Sequence, residues 1–176
     1  FNNHSTNSRH RVAEICNYIG YDVAVIGNHD IEMGKRVFDK FVKECNYPIL
    51  GANAIDTATG EPYFQPYEIF YRQGLKIAVV GFITPAIPHW IPKKTWEGMR
   101  FEDIKESAEK WVKIILEEEH PDYIVGLMHS GMNEGIVTPE YKENATRETA
   151  ESVEGFDLIL YGHDHSSNIE EVVTKS

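Results

Sequence analysis

The chain of 176 residues is long enough for one domain with a sizeable core, and its 41% hydrophobic and 26% charged residues are ordinary for a globular protein. A net charge of −11 argues against a nucleic-acid polymer or an anionic membrane as the main partner. It does not exclude a small phosphorylated substrate, because bound metal cations can reverse the local sign. No apolar stretch reaches the length of a membrane span.

The first half of the chain alternates predicted helices with short apolar strands. In chain order the prediction is a helix over 9–19, a buried strand over 23–26, a helix that opens at 33–34 and ends near 46, a short strand over 48–51, a loop over 52–66, and a hairpin of 67–71 with 75–82. Two cysteines, Cys16 and Cys45, fall in the helical segments. They are either two buried thiols or one disulfide, and neither spacing resembles a metal or redox motif.

The second half continues the alternation. Three prolines between residues 84 and 92 predict a packed loop without regular structure. The remaining predicted elements are the clearest helix over 101–119, a strand over 123–128, a short helix over 145–153, a strand over 158–161 and one further candidate strand over 169–173. Helices that alternate with continuous apolar strands indicate an α/β fold whose strands are buried on both faces.

Three of these strands end in polar clusters that contain histidine. Asn28-His29-Asp30 follows the first, His129 ends the strand over 123–128, and His163 with His165 follows the strand over 158–161. Because ligands bind beyond the carboxyl ends of strands in open α/β sheets, we expect the three clusters to converge. The remaining histidines do not belong to such clusters and are read as structural: His4, His10, His89 and His120. The loop that carries His89 could nevertheless form the wall of a pocket.

Four of these side chains predict a metal site. In extended backbone His163 and His165 would point to the same side, and Gly162 would let the backbone approach closely. With His129 and Asn28 they offer nitrogen and amide-oxygen ligands suited to zinc, manganese, iron or cobalt. The alternative is that they are core residues, each of which would need a buried partner or cost about 1–3 kcal/mol.

His29-Asp30 predicts a catalytic pair. An imidazole oriented by a carboxylate is suited to general-acid or charge-stabilising work near neutral pH. The other reading is that Asp30 caps the following helix, and the two readings are compatible.

These motifs resemble a known family. Gly27-Asn28-His29-Asp30, Met128-His129-Ser130-Gly131 and Gly162-His163-Asp164-His165 look like motifs of the calcineurin-like metallophosphoesterases. The bacterial 5′-nucleotidase / 2′,3′-cyclic-nucleotide 2′-phosphodiesterase branch is the most similar, and Gly20-Tyr21-Asp22 and Gly81-Phe82-Ile83-Thr84-Pro85 resemble it too.

The resemblance implies a metallophosphoesterase-type α/β/β/α sandwich with two divalent metal ions. By the family pattern Asn28, His129 and His163 would hold one ion and His165 would belong to the other. His29, oriented by Asp30, would stabilise the phosphoryl transition state and protonate the leaving oxygen after attack by a hydroxide that the two metals activate. The substrate would be a small phosphorylated molecule, a nucleotide by the resemblance, and the location periplasmic or secreted.

The chain also departs from the family pattern. The Asp-x-His strand and the Gly-Asp motif that open the family's site do not occur before Gly27, and no nucleoside-binding domain follows. We therefore expect residues 1–176 to be an N-terminally incomplete part of a catalytic domain. On this expectation, missing N-terminal strands and a C-terminal nucleotide-binding domain would be its partners in the parent protein. Alone the chain would bind metal weakly and show no turnover.

Two other functions compete with the nucleotide hydrolase. One is a phosphatase or phosphodiesterase with a non-nucleotide substrate. The other is a non-catalytic relic that keeps the fold and a metal, against which the retention of both His29 and Asp30 argues.

Overall fold

The computed structural model describes residues 9–133 and 135–174. The helices are α1 (Arg11–Ile19), α2 (Asn28–Ile31), α3 (Lys35–Glu44), α4 (Ile87–Trp90), α5 (Ile104–Glu118) and α6 (Thr146–Ser152), with a 3₁₀ turn at Lys93–Thr95. The strands are β1 (Ala24–Val25), β2 (Ile49–Leu50), β3 (Ala54–Asp56), β4 (Tyr67–Arg72), β5 (Leu75–Ile83), β6 (Met99–Phe101), β7 (Tyr123–His129) and β8 (Leu158–Tyr161).

Two sheets carry the site. A four-stranded sheet has the order β4-β5-β7-β8, in which β5, β7 and β8 run parallel and β4 is the antiparallel hairpin partner of β5. The short parallel pair β1-β2 packs against β5 and β7. Among the residues that the structure describes, β1 pairs with β2 alone.

Helices cover both outer faces of these sheets and create two cores. Helices α1 and α3 bury Ala13, Phe38 and Phe41 in one cluster with β1 and β2. Helix α5 buries apolar residues at helical spacing, among them Ala108 and Val112, in a second cluster with β5 and β7. The layers are therefore helix, sheet, sheet and helix, which confirms the predicted α/β/β/α sandwich.

The two sheets are in close contact at Gly81 in β5. A Cβ atom at this position would lie 2.4 Å from the Cβ of Leu50 in β2, and the Gly81 carbonyl accepts a hydrogen bond from the amide of Ala52 over 2.7 Å. Glycine is needed here for space, since no side chain fits between the sheets. This contact sets the position of β1 and β2 over β5 and β7.

The structure corrects several predicted segments. The predicted loop over 52–66 contains β3, which pairs antiparallel with β6, so Phe101 lies in a strand rather than in the long helix. The proline-rich segment contains the single-turn helix α4, because Pro88 occupies its first turn, where no amide donor is required. Residues 169–173 form no strand. His4, which the sequence analysis reads as a structural histidine, lies outside the described residues.

Other features agree with expectation. The hairpin, the helices α1, α3, α5 and α6, and the strand Leu158–Tyr161 all occur close to their predicted positions. Cys16 and Cys45 are free, half-buried thiols. No helix in the described part of the chain has the length and apolar character needed to cross a membrane.

The contact between the sheets yields a stability prediction. Gly81→Ala forces a methyl group against Leu50, so we expect the free energy of unfolding to fall by about 1–3 kcal/mol. Chemical denaturation measures the change. Gly162→Ala is the matched control, because a Cβ there meets nothing within 4 Å. Equal effects of the two substitutions would contradict the close approach of the sheets.

Candidate metal centre

The centre is built around a contact between two strand ends. Asn28 begins α2 directly after β1, and only 7% of its surface is exposed. His129 is the last residue of β7. Its Nε2 donates a hydrogen bond of 2.7 Å to the Asn28 side-chain oxygen, Oδ1. The contact joins residues that are 101 positions apart and brings the carboxyl ends of β1 and β7 together.

Gly27 makes room for this contact. A Cβ atom on Gly27 would lie 3.0 Å from Cε1 of the His129 ring and within 3.3 Å of its Nε2. The backbone φ of Gly27 is −111°, a value that any residue adopts, so the requirement is for space and not for an unusual conformation. The imidazole of His129 therefore packs directly against the backbone of Gly27.

His163 completes the central group. Its ring centroid lies 5.1 Å from that of His129, its side chain is 12% exposed, and its Nε2 donates to Glu143 Oε1 over 3.1 Å. Burial, followed by the neighbouring His163, lowers the pKa of His129 to about 4. His129 is therefore a neutral imidazole at neutral pH, and a neutral imidazole can leave either ring nitrogen free to bind a cation.

The turn after β8 differs from the prediction. His163 and His165 were expected in extended backbone with their side chains on one side, but their φ values are 93° and 56°. Both residues have left-handed backbone conformations, so the side-chain alternation of an extended strand does not apply to them. His165 is exposed, whereas the ring of His163 lies beside that of His129.

Asp164 holds this turn against the end of β7. Its Oδ2 accepts a hydrogen bond of 2.9 Å from the amide of Met132, and its Oδ1 accepts from the amide and hydroxyl of Ser166. Burial raises the pKa of the Asp164 carboxyl, but the hydrogen bonds from the Met132 and Ser166 amides outweigh it and keep the pKa below its usual value. A Cβ on Gly131 would lie 2.5 Å from Asp164 Oδ2, which explains a glycine two residues after His129.

The predicted pairing of His29 with Asp30 is wrong. The chain turns into α2 at Asn28, so consecutive side chains diverge and residues three apart face each other. His29 Nδ1 therefore pairs with Glu32 Oε1 at 2.9 Å. Asp30 Oδ2 instead accepts from the amide of Gly27 over 2.9 Å, and burial raises the pKa of Asp30. Asp30 thus caps α2, the helix to which it belongs, and not the following helix α3, whose N-cap is Gly34.

Glu143 is a further residue that the sequence reasoning missed. Its carboxylate contacts His163 through Oε1 and accepts from the amide of Ile136 through Oε2 over 2.6 Å. Its backbone carbonyl accepts from the hydroxyls of Thr84 and Ser130. Glu143 lies in a polar segment far from any strand end, and no local pattern marks it as part of the centre.

The chemistry of these residues suits a divalent cation. One place brings together the amide oxygen of Asn28 and the imidazoles of His129 and His163. Glu143 accepts a hydrogen bond from His163, and metal-binding histidines commonly make such a bond to a carboxylate. Within residues 9–133 and 135–174, no three His, Cys, Asp or Glu side chains form a metal-binding group. The candidate ligand set therefore includes the amide oxygen of Asn28, which contacts Nε2 of His129, and Glu143 contacts Nε2 of His163.

Comparison with known proteins identifies the family of the chain. Residues 3–167 match the family described as calcineurin-like phosphoesterase. A 5′-nucleotidase of Vibrio cholerae is 39% identical over 113 residues, which cover 64% of this chain and 20% of that protein. A 2′,3′-cyclic-nucleotide 2′-phosphodiesterase/3′-nucleotidase of Yersinia enterocolitica is 30% identical over 168 residues, covering 89% of this chain and 25% of that protein.

A solved structure supports the same conclusion for the fold. The crystal structure of calcineurin-like phosphoesterase YfkN from Bacillus subtilis is similar with a TM-score of 0.80 and 31% identity, over 90% of this chain and 49% of that one. These likenesses define the class, an α/β/β/α phosphoesterase domain. The chain belongs to the calcineurin-like phosphoesterase family, whose fold implies divalent metal ions. It spans only about a fifth to a quarter of the two curated relatives.

The contact of Glu143 with His163 predicts an effect on metal affinity. Glu143→Ala removes the carboxylate that orients the imidazole, so Mn²⁺ should bind about 10- to 100-fold more weakly in calorimetry. Glu140→Ala is the matched control, since this exposed glutamate removes the same charge from the same segment without touching His163. An equal loss of Mn²⁺ affinity in both variants would show that the effect comes from overall charge, and it would contradict an orienting role for Glu143.

Proposed function

We propose that the full-length protein is a metal-dependent phosphoester hydrolase that acts on nucleotides, as a 5′-nucleotidase or a 2′,3′-cyclic-nucleotide phosphodiesterase. The observation that carries the proposal is the meeting of Asn28, His129 and His163 at the ends of β1, β7 and β8. Nucleotide substrates are supported by the names of the relatives from Vibrio cholerae and Yersinia enterocolitica.

Each residue of the centre receives a role in this proposal. Asn28, His129 and His163 would hold one divalent ion, and His165 would belong to a second. When bound, the metal ions supply Lewis-acid activation of the attacking water and neutralise charge on the phosphate. This neutralisation accounts for an anionic substrate on a chain with a net charge of −11. The identity of the ion is zinc, manganese, iron or cobalt by the nature of the ligands.

His29 is the proton donor of the proposed reaction. Its side chain is 75% exposed and its Nδ1 is engaged by Glu32, so Nε2 is the nitrogen available to a substrate. Glu32 fixes the ring orientation and balances the charge of the protonated imidazole. A proton delivered from Nε2 to the leaving oxygen would let the alcohol depart as a neutral group. Asp30 supports this step indirectly, because it caps the helix that carries His29.

The competing functions differ in what they require of His29. A hydrolase with a non-nucleotide substrate would keep the same centre and differ only in the groups that surround it. A metal-binding relic would not need His29, whose side chain is 75% exposed and pairs with Glu32. We also propose a periplasmic or secreted location, which rests on the family resemblance alone and is tested by cell fractionation.

Substitution of His29 tests the function directly. In the full-length protein with Mn²⁺, His29→Ala should lower kcat for phosphate release from AMP by about 10²- to 10⁴-fold, because the leaving oxygen loses its proton donor. Metal affinity should be unchanged, since His29 is not among the proposed ligands. Adenosine 2′,3′-cyclic phosphate and bis(p-nitrophenyl) phosphate, assayed in parallel, separate nucleotide from non-nucleotide hydrolases.

His120→Asn is the control. This exposed histidine lies just before the start of β7, whereas His129 is the last residue of that strand. Asparagine tolerates the left-handed backbone that His120 adopts. Full activity of His29→Ala, or no hydrolysis of any of the three esters by the wild-type protein with metal bound, would contradict the proposal.

A further inference from the structure

The carboxyl end of β5 lies beside the candidate metal centre but supplies none of the proposed ligands. β5 pairs in parallel with β7, in a register that places Ile83 opposite His129. The next residue, Thr84, donates its amide to the carbonyl of His129 over 2.8 Å and is fully buried. A polar side chain at the end of this strand is therefore held inside the protein, next to the backbone of a proposed ligand.

The hydroxyl of Thr84 shares its acceptor with the hydroxyl of Ser130. Thr84 Oγ1 donates to the carbonyl oxygen of Glu143 over 3.0 Å, and Ser130 Oγ donates to the same oxygen over 2.9 Å. Ser130 directly follows His129 and is also fully buried. The ends of β5 and β7 thus hold one carbonyl group between them, although Glu143 itself belongs to no helix or strand.

The position of this carbonyl determines where the Glu143 side chain lies. Glu143 closes a loop, since its amide donates to the carbonyl of Ile136 over 2.8 Å and its Oε2 accepts from the amide of Ile136 over 2.6 Å. Its other carboxylate oxygen, Oε1, accepts from Nε2 of His163 over 3.1 Å. The first two bonds hold Glu143 within its own loop, whereas the bonds from Thr84 and Ser130 hold that loop against the sheet.

Burial alone does not explain the hydrogen bond of the Thr84 hydroxyl. Thr149 on α6 is also fully buried, and its hydroxyl has no hydrogen-bond partner within residues 9–133 and 135–174. The two threonines differ in location, because Thr84 lies between the backbones of His129 and Glu143. Its two hydrogen bonds are therefore a property of the centre and not of buried threonines in this protein as a whole.

We propose that Thr84 is a positioning residue of the metal centre. Together with Ser130 it holds the backbone of Glu143, so that the Glu143 carboxylate meets the ring of His163. A carboxylate in this place sets the orientation and raises the basicity of a metal-binding imidazole. The proposal rests on the proposed function and deepens it, because it gives the end of β5 a role in metal binding without ligation.

Substitution of Thr84 in the full-length protein tests the proposal. Thr84→Val keeps the branched shape of the side chain and removes the hydroxyl, so Mn²⁺ should bind about 3- to 10-fold more weakly in calorimetry. Thr84→Ser keeps the hydroxyl and should retain the wild-type affinity. Thr149→Val is the matched control, since it removes a buried hydroxyl that has no partner in the described part of the chain, and it should leave Mn²⁺ affinity unchanged.

A double substitution shows whether Thr84 acts through the carboxylate. In the Glu143→Ala protein, Thr84→Val should have no further effect on Mn²⁺ affinity, because the group that Thr84 positions is already absent. An equal loss of affinity in both backgrounds, an equal loss in Thr84→Ser and Thr84→Val, or an unchanged affinity in Thr84→Val would overturn the proposal. So would the absence of Mn²⁺ binding by the wild-type protein.

Ser130→Ala provides a second variant if thermal denaturation shows that Thr84→Val is unfolded. It removes the other hydroxyl from the same carbonyl and should also weaken Mn²⁺ binding in the wild-type background but not in the Glu143→Ala background. The same affinity in Ser130→Ala as in the wild type would count against the proposal. Failure of the proposed function would look different, because Mn²⁺ affinity would then depend on Thr84 while the protein hydrolysed no phosphoester.

Discussion

The hydrogen bond between Asn28 and His129 is the interaction on which the rest of the centre depends. It links the end of β1, in the small sheet, to the end of β7, in the large sheet, at a distance of 2.7 Å. Such a contact requires the sheets to be close, and the absence of a side chain at Gly81 provides that closeness. It also requires space beneath the imidazole, which Gly27 provides. The packing of the two sheets and the contact between Asn28 and His129 thus both depend on glycines, Gly81 and Gly27.

A layer of polar residues behind the centre turns this contact into a defined site. Glu143 orients His163, Asp164 holds the turn that carries it, and Thr84 fixes the start of α4 against His129. These residues come from loops that follow three different strands. Their hydrogen bonds are directed, so the imidazoles have set orientations before any cation binds. Pre-organisation of this kind supports the proposal that these residues form a metal-binding centre.

The sequence predicted the sandwich and the central residues because those features have local signals. Continuous apolar strands followed by polar residues indicate strand ends, and strand ends meet at one edge of a sheet. Turn geometry has no such signal. His163 and His165 adopt left-handed backbone, which periodicity cannot predict. The partner of His29 depends on where α2 begins, and a helix that starts at Asn28 selects Glu32 over Asp30. Glu143 reaches His163 across 20 positions through a loop, a contact that only tertiary structure determines.

The central claim is that strand ends gather Asn28, His129 and His163 into one metal-binding centre. Anomalous X-ray scattering from crystals of the full-length protein grown with Mn²⁺ tests it most directly. The account predicts an anomalous peak bounded by the Asn28 side-chain oxygen and the rings of His129 and His163, with the hydrogen bond between Asn28 and His129 replaced by contacts to the ion. A fully occupied manganese site elsewhere, with that hydrogen bond intact, would contradict it.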